Sequence, residues 1–258
     1  MSQDPKAFLK DAKQWVEQER VWDDLIFAPS VAVAEAAPRQ APLAHPDKAA
    51  VLQALYEQYK NCQLCPLGAT RIKFVFGVGN PETKVLFIGE GPGYEEDRRG
   101  EPFVGKAGQL LDKIMASIGL NRQNAYIANI VKCHPMQNPQ APEARGNDRA
   151  PNAVEVEACL SILRQQIVII QPLFIVTLGS PSTRTLLQTS EGITKLRGRL
   201  FPFPVDRFYP TELGAPPLPE ALQRTQVLPT YHPAALLRNP DLKKDVWTDM
   251  KLLRDLLR

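Results

Sequence analysis

The chain has 258 residues, with 31 basic and 28 acidic side chains, three histidines and four cysteines. Apolar residues make up 44% and charged residues 23%, the balance of an ordinary globular protein with ample chain for a hydrophobic core. No run reaches the ~18 apolar residues of a membrane span and the polar start MSQDPKAFLK is not a secretory signal, so a membrane protein, collagen, a coiled coil, wholesale disorder and a disulfide-rich secreted scaffold are excluded, and a cytoplasmic location is expected.

Residues 1–45 differ from the rest. Phe8, Ala12, Trp15, Trp22 and Ile26 recur at helical spacing, which predicts an amphipathic helix over residues 5–27. An Ala/Pro-rich linker follows from Pro29 to Pro46. This extension holds five basic and seven acidic residues, so the body from residue 46 to 258 carries a net charge of +5. The helix is expected to pack on the body, with a docking role toward a protein partner as the alternative.

From Asp47 onward helices and strands alternate. A helix over 47–59 leads to the Cys62/Cys65 loop. Val85 to Gly89 is a short apolar run closed by glycine, the pattern of a buried parallel strand. Leu110, Leu111, Ile114, Met115 and Ile118 mark one face of a helix over 106–119. Strands are expected at 126–131, 173–178 and 226–228, with helices at about 152–170 and 240–257. This order predicts an α/β fold of three layers, α/β/α, around a central four-stranded, mainly parallel sheet. Four prolines in 135–151 and nine in 202–240 predict long surface loops there.

Cys62 and Cys65 form a CxxC pair, followed after 67 residues by Cys133 and after 25 more by Cys159. A thioredoxin-like pair would follow a strand and act alone, whereas this pair follows a helix and leaves two cysteines unexplained. On ligand count, four thiolates suit tetrahedral zinc and an iron–sulfur cluster equally. Zinc sites more often present two close pairs, and three spread anchor points fit a cluster stapling distant segments. Four unrelated buried thiols are the plainer alternative.

Gly89-Glu90-Gly91-Pro92-Gly93 follows the first long strand, where glycines allow close backbone approach to a ligand. It is neither a Walker A loop nor GxGxxG, and the acidic run Glu95-Glu96-Asp97 disfavours phosphate. Taken in order, GEGPGYEED, EPFVGKAGQLLD, YIANIVKCHP and TYHPAALLRNP resemble the family 4 (type a) uracil-DNA glycosylases, over roughly residues 55–257.

The resemblance implies a structural 4Fe–4S cluster on Cys62, Cys65, Cys133 and Cys159. It implies a monomer that acts on uracil-containing DNA in the cytoplasm and nucleoid and hydrolyses the glycosidic bond. Phe103 then resembles the residue that stacks on the flipped base, and Asn129 the base-reading amide, whose donor and acceptor match uracil N3–H and O4. His232 resembles the histidine that supports the leaving base as charge collects on its oxygens. Glu90 is expected to orient water or stabilise the cationic sugar, and Gly91 and Gly93 to hold the base through backbone N–H groups. Glu96 or Asp97 would close the pocket near uracil C5. Leu236 and Leu237 are candidate wedges for the hole left by the base, with Arg238, Lys243 and Lys244 beside them; Lys195, Arg197 and Arg199 form a second basic cluster for the DNA backbone. For each, core packing, a strand-end cap or a solvated surface is the plainer role.

Two departures from the family stand out. His134 replaces an arginine after the third cysteine, which is expected to remove a local charge. The Cys133–Cys159 gap is long, and NPQAPEARGNDRAP looks inserted. It has Arg145 and Arg149 but no reactive-histidine run, so covalent adduct formation is not expected. Two other functions compete: a catalytically weak iron–sulfur DNA-binding or damage-sensing protein, and a zinc protein acting on free nucleotides.

Overall fold

The computed structural model describes residues 47–209 and 218–258. The helix expected over residues 5–27 and its linker lie outside the described residues. Among those described, six strands form one sheet in the order β1-β3-β2-β4-β6-β5. They are β1 (Val78–Gly79), β2 (Val85–Gly89), β3 (Tyr126–Asn129), β4 (Phe174–Leu178), β5 (Phe201–Pro202) and β6 (Gln226–Thr230). The four expected strands, β2, β3, β4 and β6, are parallel, and β1 and β5 add antiparallel edges of two residues each.

The helices, in chain order, are α1 (Lys48–Tyr59), α2 (Leu67–Thr70), α3 (Tyr94–Arg99), α4 (Lys106–Ala116), α5 (Ala153–Ile170), α6 (Ser180–Leu187), α7 (Ile193–Leu196), α8 (Val205–Phe208), α9 (Pro233–Arg238) and α10 (Lys243–Leu256). No helix among the described residues is long and apolar enough to cross a membrane. The sequence Asn152-Ala-Val-Glu155 starts α5 as a capping box: Asn152 Oδ1 accepts from Glu155 N at 3.0 Å and Glu155 Oε2 accepts from Asn152 N at 2.8 Å.

Alternation along the strands builds two cores. Leu86, Ile88, Tyr126, Ala128, Ile175 and Val227 face one layer, with Leu52 and Leu55 of α1 and Leu163 and Ile167 of α5. Val85, Phe87, Ile127, Val176 and Leu228 face the other, with Leu111 and Met115 of α4 and Val246, Met250 and Leu253 of α10. The sheet is thus covered on both sides, which is why its strands read as continuous apolar runs.

The described parts of the proline-rich segments, 135–151, 202–209 and 218–240, include paired structure as well as loops. Segment 202–240 contains buried β6, whose Pro229 lies opposite Thr177 and past the two-residue end of β5, where no strand needs its missing N–H. Segment 135–151 closes on itself at its base. Met136 bridges Asp148, Arg149 N donates to Pro135 O at 3.0 Å, and the Arg149 guanidinium forks onto Glu155 at 2.8 and 2.6 Å.

Candidate active site

The carboxyl ends of the parallel strands converge, as open α/β sheets favour for ligand sites. β2 and β3 end level, with Gly89 opposite Asn129. The loops beyond them meet over a cavity of about 340 Å³, lined by Glu90, Gly91, Gly93, Glu96, Phe103, Asn129 and His232 among others. The structure therefore brings Glu90, expected at the water or the sugar, together with six residues expected to act on the base, and leaves out Asp97, the alternative to Glu96. A larger cavity, about 520 Å³ around Phe203 and Asp206, contains none of them.

Asn129 is 1% exposed, and its side-chain Oδ1 has no hydrogen-bond partner. An unmet buried acceptor costs about 1–3 kcal/mol, so an acceptor held open in a cavity wall points to a ligand that completes it. A Cβ on Gly89 would come within 2.5 Å of Phe103 Cζ and would also overlap the Asn129 amide. Glycine at the strand end is what lets ring and amide meet there.

His232 caps α9: its Nδ1 accepts from Ala234 N at 3.1 Å. Burial and then the nearby Arg238 charge push its imidazole down to about 4. At neutral pH the ring is uncharged, and with Nδ1 occupied as an acceptor its proton sits on Nε2. Phe103 lies beside it, ring centroids 5.5 Å apart and planes inclined by 33°. Burial raises the Glu90 carboxyl above its ordinary range.

Glu96 lines the cavity, but its oxygens serve the backbone. Oε2 accepts from Gly93 N at 3.2 Å, and Oε1 from Val104 N and Gly105 N at 2.8 and 2.9 Å. It ties the glycine loop to the Phe103 segment. Asp97 takes no part in the cavity wall. It is fully buried, accepts from Ile72 N and Lys73 N, and turns Oδ2 toward His134 Nδ1 at 3.6 Å.

The charge expected to be lost at His134 is retained. Burial opposes protonation, but Asp148 at 2.6 Å and Asp97 outweigh it and hold the imidazole up to about 9. Asp148, with Arg149 and Pro151, also lines the cavity, so the inserted segment is part of its wall. Sequence spacing gave no hint of this, because the contact depends on the segment folding back onto α3.

Beyond the cavity the leucine pair separates. Leu236 is 1% exposed inside the core, which removes it as a wedge: a buried side chain cannot reach a base stack. Leu237, on the outer face of α9, is 49% exposed. Arg238, Lys243, Lys244, Lys195 and Arg199 are also exposed. Arg197 is spent inside the fold instead. Its guanidinium pairs with buried Asp249 and, at 3.5 Å, with Asp245, which leaves Lys195 and Arg199 as the open cations of that turn.

The four cysteines share one neighbourhood, where Cys133 and Cys159 belong to a core against which Cys62 and Cys65 pack. Burial pushes the Cys133 thiol up to about 12 and the Cys159 thiol up to about 11, with other thiols of the group adding to both. Thiols so placed ionise when a bound cation repays the cost. Donors already face three sulfurs: Leu64 N to Cys62 at 3.5 Å, Arg71 Nη1 to Cys133 at 3.5 Å and Lys132 N to Cys159 at 3.2 Å. These residues fit a thiolate-held group. Among the described residues no three His, Cys, Asp or Glu side chains converge on a position for a single metal ion.

Lys132 was not singled out from the sequence. It is fully buried and bridges the two regions: its Nζ donates to Asn129 O at 2.8 Å and to Gln166 Oε1 at 2.6 Å, while its N–H serves Cys159.

The sequence profile described as the uracil DNA glycosylase superfamily matches residues 76–256. The chain belongs to the uracil DNA glycosylase superfamily. It is 36% identical over 211 residues to a type-4 uracil-DNA glycosylase of Thermotoga maritima, covering 81% of this chain and 95% of that one. It is 38% identical over 210 residues to a type-4 enzyme of Sulfurisphaera tokodaii, covering 80% and 84%, and 34% identical over 209 residues to one of Archaeoglobus fulgidus, covering 80% and 92%. The superfamily match spans every cavity residue above, from Glu90 to His232, together with Cys133 and Cys159.

Proposed function

We propose that this chain is a monofunctional uracil-DNA glycosylase: it takes uracil out of the DNA stack and hydrolyses its N-glycosidic bond, leaving an abasic site for base-excision repair. The observation that carries this reading is the buried, unpartnered Asn129 amide oxygen in a cavity that also holds Phe103 and an uncharged His232. The Asn129 Oδ1 accepts from uracil N3–H and its Nδ2 donates to O4, a pairing that cytosine reverses. Phe103 supplies the apolar face for the ring. Gly91 brings its backbone N–H close to the base, while the Gly93 N–H is taken by Glu96, which holds both walls in register.

As the C1′–N1 bond breaks, its electron pair moves onto uracil N1 and O2 while the sugar becomes cationic. His232 Nε2–H donates to O2, a bond that strengthens as the charge develops. The Glu90 carboxylate sits by the positive sugar and orients the water whose oxygen bonds to C1′, taking its proton.

Cys62, Cys65, Cys133 and Cys159 are the residues that would hold a 4Fe–4S cluster. When bound, it would supply no step of the hydrolysis and would staple the Cys62 loop, the segment after β3 and α5 together. The catalytic domain is taken as residues 46–258, acting as a monomer on uracil-containing DNA in the cytoplasm. Leu237 is the wedge, with Arg238 and Lys195 on the phosphates. A base-release assay on U·G, U·A and single-stranded uracil DNA against T·G tests the reading; thymine release equal to uracil release would contradict it.

A further inference from the structure

Phe103 has a backbone φ of +56°, in the left-handed region that side chains rarely adopt. Two other non-glycine residues described here share it, Gln171 and Gln188, and both are helix C-caps, where that conformation is ordinary. Phe103 follows no helix so closely. It lies between the Gly100 cap of α3 and the Gly105 cap of α4, so something outside the local chain must hold it.

What holds it is a clamp on its peptide groups. Arg122, beyond α4, donates from Nη1 to Pro102 O at 3.0 Å and from Nη2 to Phe103 O at 2.5 Å. Its Nε donates to Asp112 Oδ1 at 2.9 Å, so the carboxylate on α4 sets the plane of the fork. Gly108 lets the first turn of α4 press on the same carbonyl, where a Cβ would overlap the Phe103 carbonyl group. On the other side Glu96 fixes Val104 N and Gly105 N. Neither Arg122 nor Asp112 lines the cavity.

We propose that Arg122, oriented by Asp112, is a positioning residue that locks Phe103 in its left-handed conformation and so presents the ring to the flipped base. This rests on the reading of Phe103 as the stacking face. Backbone strain of this kind persists only where the surroundings over-determine it, and it gathers at sites where a side chain must be pre-placed. A planar guanidinium meets two successive carbonyls and a carboxylate from three separate nitrogens, whereas a lysine ammonium offers all its donors from one atom.

The test compares the wild-type chain with Arg122→Lys and Arg122→Ala, each also in a Phe103→Gly background, where no ring needs placing and a glycine takes positive φ freely. Single-turnover uracil release, KM and inhibition by free uracil are measured beside thermal unfolding. Arg122→Lys is expected to slow single-turnover release about ten- to a hundredfold and to weaken inhibition by free uracil about tenfold. In the Phe103→Gly background the same change should alter the rate by less than about twofold. Should Arg122→Ala fail to fold, Arg122→Lys decides. Equal losses in both backgrounds, or a wild-type rate and inhibition in Arg122→Lys, overturn the clamp. A wild-type chain that releases no uracil overturns the reading of the site instead.

Discussion

The rings of Phe103 and His232 lie side by side, centroids 5.5 Å apart and planes 33° from parallel, although one follows β2 and the other β6. A stacking face and a hydrogen-bond donor thus reach the same cavity from strands that β4 separates in the sheet. Their closeness is set by Gly89 on one side and by Gly179 on the other, where a Cβ would come within 3.0 Å of His232 Cβ. Both glycines end parallel strands or directly follow them, so the sheet edge itself spaces the site.

His232 is expected to act as an uncharged donor. Replacing it with Ala should lower single-turnover uracil release by about 10²–10³-fold while DNA affinity changes little. Its folded value near 4 lies below the ordinary 6.5, so protonation favours the unfolded chain. The stability that the neutral ring contributes is complete above 6.5 and is lost as pH falls toward 4. Activity should accordingly show no break near 6.5; a rate that halves there would contradict the neutral-donor role.

Glu90 should set the acid side of the pH profile. Burial raises its carboxyl, so the carboxylate needed beside the sugar is lost at a higher pH than an exposed glutamate would require. Glu90→Gln is expected to leave a lower but flat residual rate across that range. A limb of unchanged position in Glu90→Gln would assign the titration to another group.

Asn129→Leu separates function from stability. The change removes an acceptor that the fold leaves unpaired, so unfolding free energy should hold or rise by about 1 kcal/mol. Uracil release should fall at least roughly a hundredfold, because the pocket loses its donor and acceptor together. Denaturant unfolding and base release on the same preparation check both halves.

The two adjacent leucines should behave in opposite ways. Leu236→Ala deletes a core side chain and should cost about 2–5 kcal/mol of stability. Leu237→Ala should leave stability nearly unchanged yet slow uracil release from duplex more than from single strands, where no stack has to be refilled. Equal losses on the two substrates would remove Leu237 from the wedge role.

Much of this site could be read along the chain, and the remainder was hidden for identifiable reasons. Residues 85–89 announce a buried strand through an unbroken apolar run, and the motifs carrying Glu90, Phe103, Asn129 and His232 are local. β1 and β5 are too short for any periodicity, so the sheet reads as four strands. The helical phase that buries Leu236 and exposes Leu237 is ambiguous in a six-residue helix flanked by loops. The charge on His134 depends on Asp148, fourteen residues on, and Asp148 reaches the cavity only once its segment folds back. Lys132 and Arg122 each serve a backbone carbonyl beside a side chain ten or more residues away, partners that no local pattern encodes.

The most direct measurement is the identity of the base released under single-turnover conditions from duplexes with one uracil, thymine or cytosine, using the wild-type chain beside Asn129→Leu. Free uracil with an equimolar abasic site from the wild type, its near absence from Asn129→Leu, and no thymine or cytosine from either chain is the predicted result. Uracil release that survives in Asn129→Leu, or a wild-type chain that binds uracil DNA and frees no base, would contradict it.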